Sequence, residues 1–177
     1  METQRLLLRE FREEDYRDIV HQIYEDKDVW GMYSGIGNDT KEIRRRFLHR
    51  LHQPTNAEFG FRVIELKSTN HVIGQIHLEP HVLDPHSIPE KTTTPFDFVE
   101  VELAFAIGKT LWGQGLAYEA CNRMIEYAFK ELKLPRLVGG ASRKNDRSLR
   151  LHKRLGFEIK TDPTDSDFMS AVLANNF

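Results

Sequence analysis

The sequence predicts a single mixed α/β domain, and three observations lead to this class. Apolar residues recur at period two in several short segments, as in strands, and at helical spacing in others. Two glycines separate a late strand pattern from the longest helical pattern. The 177 residues are 40% apolar and 29% charged with a net charge of −2, which excludes a disordered or strongly polyanion-binding chain.

The sequence contains no sign of a membrane segment or an export signal. The opening METQRLLLRE lacks an apolar run followed by a small-residue cleavage site, and no apolar stretch is long enough to cross a bilayer. We therefore expect a soluble, cytoplasmic protein whose partner is neither a membrane nor nucleic acid. Cys121 is the one cysteine and is expected to be buried on a helix.

The first half of the chain reads as a strand, two helices and a hairpin. Residues 5–10 form a short apolar run, and helical spacing begins near Glu13. Asp39 or Thr40 can cap the second helix, whose polar face is basic. Its apolar face is predicted to contain Ile43, Phe47, Leu48 and Leu51. Residues 57–66 and 71–78 are rich in strand-forming residues and are joined by KSTN, which favours a tight turn.

The second half begins with an insertion and continues as alternating strands and helices. Residues 80–95 contain four prolines and no periodicity, which predicts an inserted loop at about 80–96. A strand over 97–107 precedes the glycines, and helical spacing runs from Leu116 to Ala128. Another strand is expected over 136–141, a short helix over 145–155, and a final strand pair from Phe157 onward with 168–173.

The segment WGQGLA, residues 112–117, lies between a strand and a helix. In such a turn the backbone N–H groups and the helix N-terminus can bind a phosphate. Gly113 and Gly115 would allow close approach, although an ordinary strand-to-helix turn has the same pattern. A dinucleotide-binding turn fits poorly, because the last glycine of GxGxxG would fall on Tyr118.

The order of elements and two motifs together resemble the GNAT acetyltransferases over nearly the whole chain. WGQGLA is similar to the family's pyrophosphate-binding turn, Arg/Gln-x-x-Gly-x-Gly/Ala, except at Trp112, and NDRSLRLHKRLGF, residues 145–157, is similar to its second signature. The opening TQRLLLREFREEDYRDI, residues 3–19, resembles ribosomal-protein-alanine N-acetyltransferases. The resemblance implies one acetyltransferase domain over 1–177, with a mostly antiparallel splayed sheet of about seven strands and about four helices.

The resemblance also implies acetyl-CoA as co-substrate and a set of residues that hold it. The pantetheine arm would pair with backbone groups of Phe105, Ala106 and Ile107, and the N–H of Leu103 would stabilise the oxyanion. The remaining predicted CoA contacts are Trp112, Gly113, Gln114, Gly115, Leu116, Ala117 and Asn145. Asn145 has a second interpretation, since asparagine followed by Ser148 is also a common helix cap.

The chemistry requires a group that accepts the proton of the attacking amine. Period two places Glu100 and Glu102 on one face of the strand, and Glu102 is the candidate base. A solvated face or a salt bridge to the basic helix would explain either carboxylate equally well. For the leaving thiolate, His152 occupies the place where the family often has tyrosine, and Ser148 lies one turn earlier. His152 could instead only pack between helix and sheet.

We therefore expect an N-acetyltransferase that moves an acetyl group from acetyl-CoA to a primary amine, such as a protein N-terminal amine, by direct attack in a ternary complex. Its partner would be a small-molecule or peptide amine, and a homodimer is compatible with this interpretation. The alternative is a non-catalytic CoA-binding or sensor protein of the same fold. No metal is expected, because His77, His81 and His86 with Asp84 do not match the spacing of a closed zinc site.

Overall fold

A computed structural model describes residues 1–33, 39–53, 58–82, 99–162 and 165–176 and confirms the predicted mixed α/β class. The strands are β1 (Leu6–Arg9), β2 (Gly60–Leu66), β3 (His71–Val82), β4 (Val99–Ile107), β5 (Arg136–Ser142), β6 (Glu158–Thr161) and β7 (Phe168–Ala174). They form one sheet in the order β1-β2-β3-β4-β5-β7-β6. The pairs β1–β2, β5–β7 and β6–β7 are antiparallel, whereas β4 and β5 are parallel.

Five α-helices accompany the sheet in the described part of the chain. They are α1 (Tyr16–Ile19), α2 (Lys27–Tyr33), α3 (Thr40–Leu51), α4 (Leu116–Glu126) and α5 (Asp146–Arg154). A 3-10 turn precedes α1, a second one follows β4, and π-helical turns extend α1 and α4. None of the helices that the structure describes combines the length and apolar character needed to cross a membrane.

Two elements differ from the sequence-based expectation. The inserted loop does not begin at Pro80, because β3 continues to Val82, and a proline is tolerated near a strand end. The rest of that predicted loop, residues 83–96, lies outside the described residues. Helix α2 was not predicted. Among the side chains that the structure describes in it, Val29 is the one buried hydrophobic residue, and Gly31 lowers its helix propensity.

Helix α3 begins as predicted, but one residue of its expected apolar face is exposed. The Asp39 carboxylate accepts hydrogen bonds from the backbone N–H groups of residues 41 and 42, which is a standard N-cap. Ile43 and Phe47 are buried as expected, whereas Leu48 is 38% exposed. Arg50, whose burial was not expected from the sequence, is 8% exposed.

The described residues form two compact units. One comprises Met1–His77 with Phe105–Met124, and its core contains Ile19, Ile23, Phe47, Val63 and Val72. The other comprises Leu78–Ala104 with Ile125–Phe177, and its fully buried residues include Leu137, Phe129 and Ala171. The assignment of residues 1–177 to a single acetyltransferase domain stays a prediction.

Candidate active site

The glycine turn before α4 has the backbone conformation that a phosphate-binding turn requires. Gly113 and Gly115 have φ angles of 79° and 77°, a region in which a Cβ is strained. Helix α4 begins at Leu116, and the N–H groups of its first turn have no partner within the helix. The positive end of the helix dipole favours an anion at the same place. The turn is therefore suited to a phosphate, while the individual CoA contacts of Gln114, Leu116 and Ala117 stay predictions.

The Arg5 side chain contacts this turn, although the sequence did not indicate it. Its Nη1 donates to the Gln114 carbonyl oxygen at 3.0 Å and its Nε donates to Glu119 Oε2 at 2.6 Å. Burial acts to raise the pKa of Glu119, but hydrogen bonds from Thr3 and Arg5 outweigh it and lower that pKa. The ionised Glu119 thus holds the Arg5 guanidinium beside the turn, 3.6 Å from where a Gly115 Cβ would lie.

Trp112, the position that departs from the family pattern, has a structural role. Its indole Nε1 donates to the Ile107 carbonyl oxygen at 2.8 Å, and the ring packs against the core of its unit. The side chain therefore ties the turn to the end of β4. A carbonyl oxygen has two lone pairs, so the bond leaves one on Ile107 for another donor.

Replacing Gly115 with alanine is expected to weaken CoA binding about tenfold. The added Cβ would stand where the phosphate approaches the backbone and would face the Arg5 guanidinium. Gly113→Ala is the matched control, because Gly113 has the same positive φ but nothing within 4 Å of its Cβ position. Calorimetry with CoA and thermal melts of both variants test this. Equal losses of affinity in the two variants would show that backbone strain, rather than phosphate contact at Gly115, is responsible.

The two carboxylates of β4 have different environments. Glu100 is 4% exposed and is ion-paired with Arg136 of β5, whose Nε donates to Glu100 Oε2 at 2.8 Å. Glu102 is half-buried at the point where β4 pairs with Val138. Glu100 is therefore in a salt bridge, but its partner lies on β5 and not on the basic helix α3. Glu102 stays the candidate base. Among the described residues, Glu102 and Val138 are the one aligned pair between β4 and β5, as expected of strands that separate.

The first turns of α5 organise Ser148 and His152. The Asn145 Oδ1 accepts a hydrogen bond from the Ser148 N–H at 3.2 Å, which confirms the capping interpretation and leaves its CoA contact a prediction. His152 Nδ1 lies 2.9 Å from the Ser148 carbonyl oxygen and 3.4 Å from its Oγ. Because a carbonyl can only accept, the Nδ1 carries a proton and donates it to this bond.

The imidazole of His152 favours its neutral form. The side chain is 2% exposed and its ring packs edge-on against Phe157. Burial lowers the pKa of His152, and the bond to the Ser148 carbonyl and the negative charge of Glu102 raise it by less. The neutral tautomer with hydrogen on Nδ1 leaves Nε2 as the nitrogen that can accept a proton.

Gly139 is where β4, β5 and α5 meet, and the sequence analysis did not recognise it. A Cβ there would lie 3.0 Å from the Leu103 carbonyl oxygen and 3.1 Å from His152 Nε2. The absence of a side chain lets the imidazole approach the strand that carries Glu102 and Leu103. Leu103 and His152 therefore approach each other at Gly139, and Ser148 contacts His152 on the preceding turn of α5.

The histidines considered as metal ligands lie in different environments. His77 is buried with its ring 4.2 Å from that of Phe61, and His81 is exposed near the end of β3. His86 and Asp84 lie outside the described residues. Within the described ranges no group of three metal-ligating side chains has a geometry that could hold an ion.

A mixed sheet with a positive-φ glycine turn between its fourth strand and a long helix is the arrangement expected of a CoA-dependent acyltransferase. The family model of the acetyltransferase (GNAT) domain matches residues 5–158. The chain therefore belongs to the GNAT acetyltransferases, and acetyl-CoA is its acyl donor. This confirms the family, the enzyme class and the fold that the motifs predicted.

Similar proteins agree with this assignment. The chain is 29% identical over 154 residues to the uncharacterized N-acetyltransferase YnaD of Bacillus subtilis, covering 87% of this chain and 79% of that one. The fold matches ribosomal-protein-S5-alanine acetyltransferase from Vibrio fischeri, with a TM-score of 0.69, 16% identity and 99% and 96% coverage. It also matches Vibrio cholerae spermidine N-acetyltransferase in complex with CoA and spermine, with a TM-score of 0.69, 17% identity and 98% and 97% coverage.

Proposed function

We propose that this acetyltransferase acts on a primary amine, which attacks the thioester of acetyl-CoA directly in a ternary complex. The observation that carries the proposal is the meeting of a carboxylate strand and a buried imidazole at Gly139. Glu102 accepts the proton that the amine must lose before or during attack. The backbone N–H of Leu103 stabilises the oxygen on which negative charge develops.

The same proposal assigns the CoA contacts. The backbone of residues 113–117 and the first turn of α4 hold the pyrophosphate, with the Arg5 guanidinium contributing positive charge beside it. Phe105, Ala106 and Ile107 pair with the pantetheine amides. Asn145 orders the start of α5 as its cap and contacts CoA in the same place.

Protonation of the departing thiolate is assigned to the His152–Ser148 pair. Since the neutral imidazole prevails, the acid form of His152 is a minority species at neutral pH. Negative charge that develops on sulfur would favour that form, as the charge of Glu102 already does. The hydroxyl of Ser148 is the competing donor, and mutation of each residue separates the two roles.

The acceptor class is an N-terminal amine of a protein or a smaller amine. Similarity of residues 3–19 to the ribosomal-protein-alanine enzymes supports the former, and the Vibrio fischeri enzyme of the same fold is named for such a substrate. The rival is a non-catalytic CoA-binding protein, which the neutral state of His152 favours. A panel of amines and peptides distinguishes the two functions.

Acetyl-CoA at a hundred times its dissociation constant is expected to stabilise the fold by about 2.7 kcal/mol, which raises the melting temperature by roughly 5–11 °C. NAD at the same concentration should have no effect. CoA release should then depend on an added amine. Stabilisation without amine-dependent release would favour the sensor, and an unchanged melting temperature would contradict CoA binding itself.

A further inference from the structure

Helix α3 ends in a buried arginine whose partners are all uncharged. Arg50 is 8% exposed, and its Nη1 donates to Gln75 Oε1 at 2.8 Å and to the Tyr24 hydroxyl at 3.2 Å. The guanidinium carbon lies 4.5 Å from the centroid of the Phe61 ring. Among the described residues no carboxylate contacts this guanidinium.

A buried arginine without a carboxylate partner is unusual in proteins, and Arg9 of this protein shows the more common arrangement. Arg9, which is similarly inaccessible, is bound by the carboxylates of Asp15 and Glu65 at 2.8 and 2.6 Å. Removing a charge from water costs several kcal/mol unless an opposite charge or a full set of hydrogen bonds compensates. At Arg50 the neutral acceptors engage Nη1 alone, so the guanidinium keeps the capacity to bind an anion.

Gln75 provides a second donor at the same place. Its side chain is 0% exposed, and acceptance of the Arg50 bond by Oε1 fixes Nε2 as the donor end of the amide. Nε2 has no hydrogen-bond partner among the described residues. A buried amide donor without an acceptor is destabilising, and a carboxylate oxygen would satisfy it.

Arg50 and Gln75 lie beside β4, the strand to which the pantetheine contacts are assigned. Gln75 follows Gly74, whose backbone packs so closely on β4 that a Cβ would overlap the Ala106 carbonyl oxygen. Ala106 is one of the residues assigned to pantetheine. Its methyl group faces the same core as Phe47, one turn before Arg50 on α3.

From this geometry we propose that Arg50 and Gln75 form a carboxylate-binding subsite for the acyl acceptor. The acceptor is then an amine that also carries a carboxylate, as in a free amino acid or a short peptide with its terminal carboxyl group. Guanidinium and amide N–H groups bind the two carboxylate oxygens and do not engage the amine. This inference rests on the proposed function, because it names the substrate class of the same site.

The test compares acceptors that differ in the carboxylate alone, with saturating acetyl-CoA and CoA release as the readout. The first comparison uses a free amino acid and its amide, and the second uses a dipeptide and its C-terminal amide, at matched amine protonation. The wild-type enzyme should prefer the carboxylate form by about tenfold to a hundredfold in kcat/KM. The comparison with the larger preference shows whether the acceptor is an amino acid or a peptide.

Two variants assign the preference to the subsite. Arg50→Met removes the charge and Gln75→Glu supplies an internal carboxylate to Arg50, and both should reduce the preference to about one. Arg45→Met is the matched control, because Arg45 lies on the same helix with its side chain 70% exposed and pairs with Glu42. If Arg50→Met fails to fold, Gln75→Glu alone decides, since its new ion pair should preserve the fold.

A binding measurement separates this inference from the proposed function. Without acetyl-CoA, N-acetylglycine should raise the melting temperature of the wild-type protein more than N-acetylglycinamide does, and the Gln75→Glu variant should show no such difference. Equal acetylation of both members of each pair by the wild-type enzyme would overturn the subsite while the acetyltransferase activity stands. A preference that persists in both variants would overturn it as well. Absence of amine-dependent CoA release from every acceptor would contradict the proposed function instead.

Discussion

Replacement of Glu102 by glutamine is expected to lower kcat/KM about a hundredfold at pH 7, because the amide cannot accept the proton of the attacking amine. The defect should shrink as the pH approaches the pKa of the acceptor, which is about 8 for an N-terminal amine and above 10 for a lysine-like amine. Rate profiles from pH 6 to 10 with one acceptor of each kind measure both effects. A defect of constant size over this range would contradict the role of Glu102 as base.

Glu100→Gln is the control for this experiment, since it removes a carboxylate from the same face of the same strand. Glu100 is ion-paired with Arg136, so its loss leaves a cation without its partner. Arg136 is 39% exposed, so we expect only about 1–2 kcal/mol of lost stability. The pH dependence of kcat/KM should remain that of the wild-type enzyme.

Replacement of His152 by asparagine is expected to lower kcat about a hundredfold while the dissociation constant for acetyl-CoA changes little. The asparagine amide can replace the Nδ1 donor to the Ser148 carbonyl, but it has no atom at the position of Nε2. His152→Gln places an amide at Nε2 instead. If Nε2 transfers a proton, both variants lose the rate, whereas an enzyme that needs only a hydrogen bond there retains it with glutamine.

Ser148→Ala is the necessary comparison, because the Ser148 Oγ lies 3.4 Å from His152 Nδ1. Alanine preserves the backbone carbonyl that orients the imidazole and removes the hydroxyl alone. We expect a loss of less than about tenfold in kcat. A defect larger than that of the histidine variants would assign the acid role to Ser148.

The pH dependence of stability provides an independent check on the state of His152. Its pKa in the folded protein is lowered from the ordinary value of 6.5. The unfolded chain therefore binds a proton more readily than the folded one, so stability is fully present above pH 6.5 and falls as the pH drops through the lowered pKa. Melting temperatures of the wild-type protein and of His152→Asn are measured between pH 5 and 8. The difference between the two should decrease as the pH falls.

Local patterns were enough to predict the elements to which CoA binding is assigned. Period two along residues 99–107 and helical spacing after Leu116 produced a strand and a helix, and the glycines between them adopt the positive φ that such a turn needs. Asp39 and Asn145 cap their helices as their residue types predict. These features depend on neighbours within a few residues, which is the range over which sequence patterns act.

Residues brought together from distant parts of the chain were not predictable in this way. Arg5 contacts the carbonyl group of Gln114 in the glycine turn, 109 residues later in the sequence. Its partner Glu119 is 114 residues away. Gly139 matters because the Leu103 carbonyl and His152 approach it, and nothing in the run of residues 136–142 indicates this. Their roles follow from packing between elements, which a periodicity does not encode.

The sequence by itself determined the family, the acyl donor and the order of strands and helices, because these follow from motifs and from the periodicity of apolar residues. Tertiary structure decided that Glu100 is ion-paired with Arg136, which nitrogen of His152 carries the proton, and that Arg50 is buried while Leu48 is exposed. The physical reason is that charge state and burial depend on the groups that surround a side chain in space. Those groups come from other elements, and only the folded chain brings them within a few ångströms.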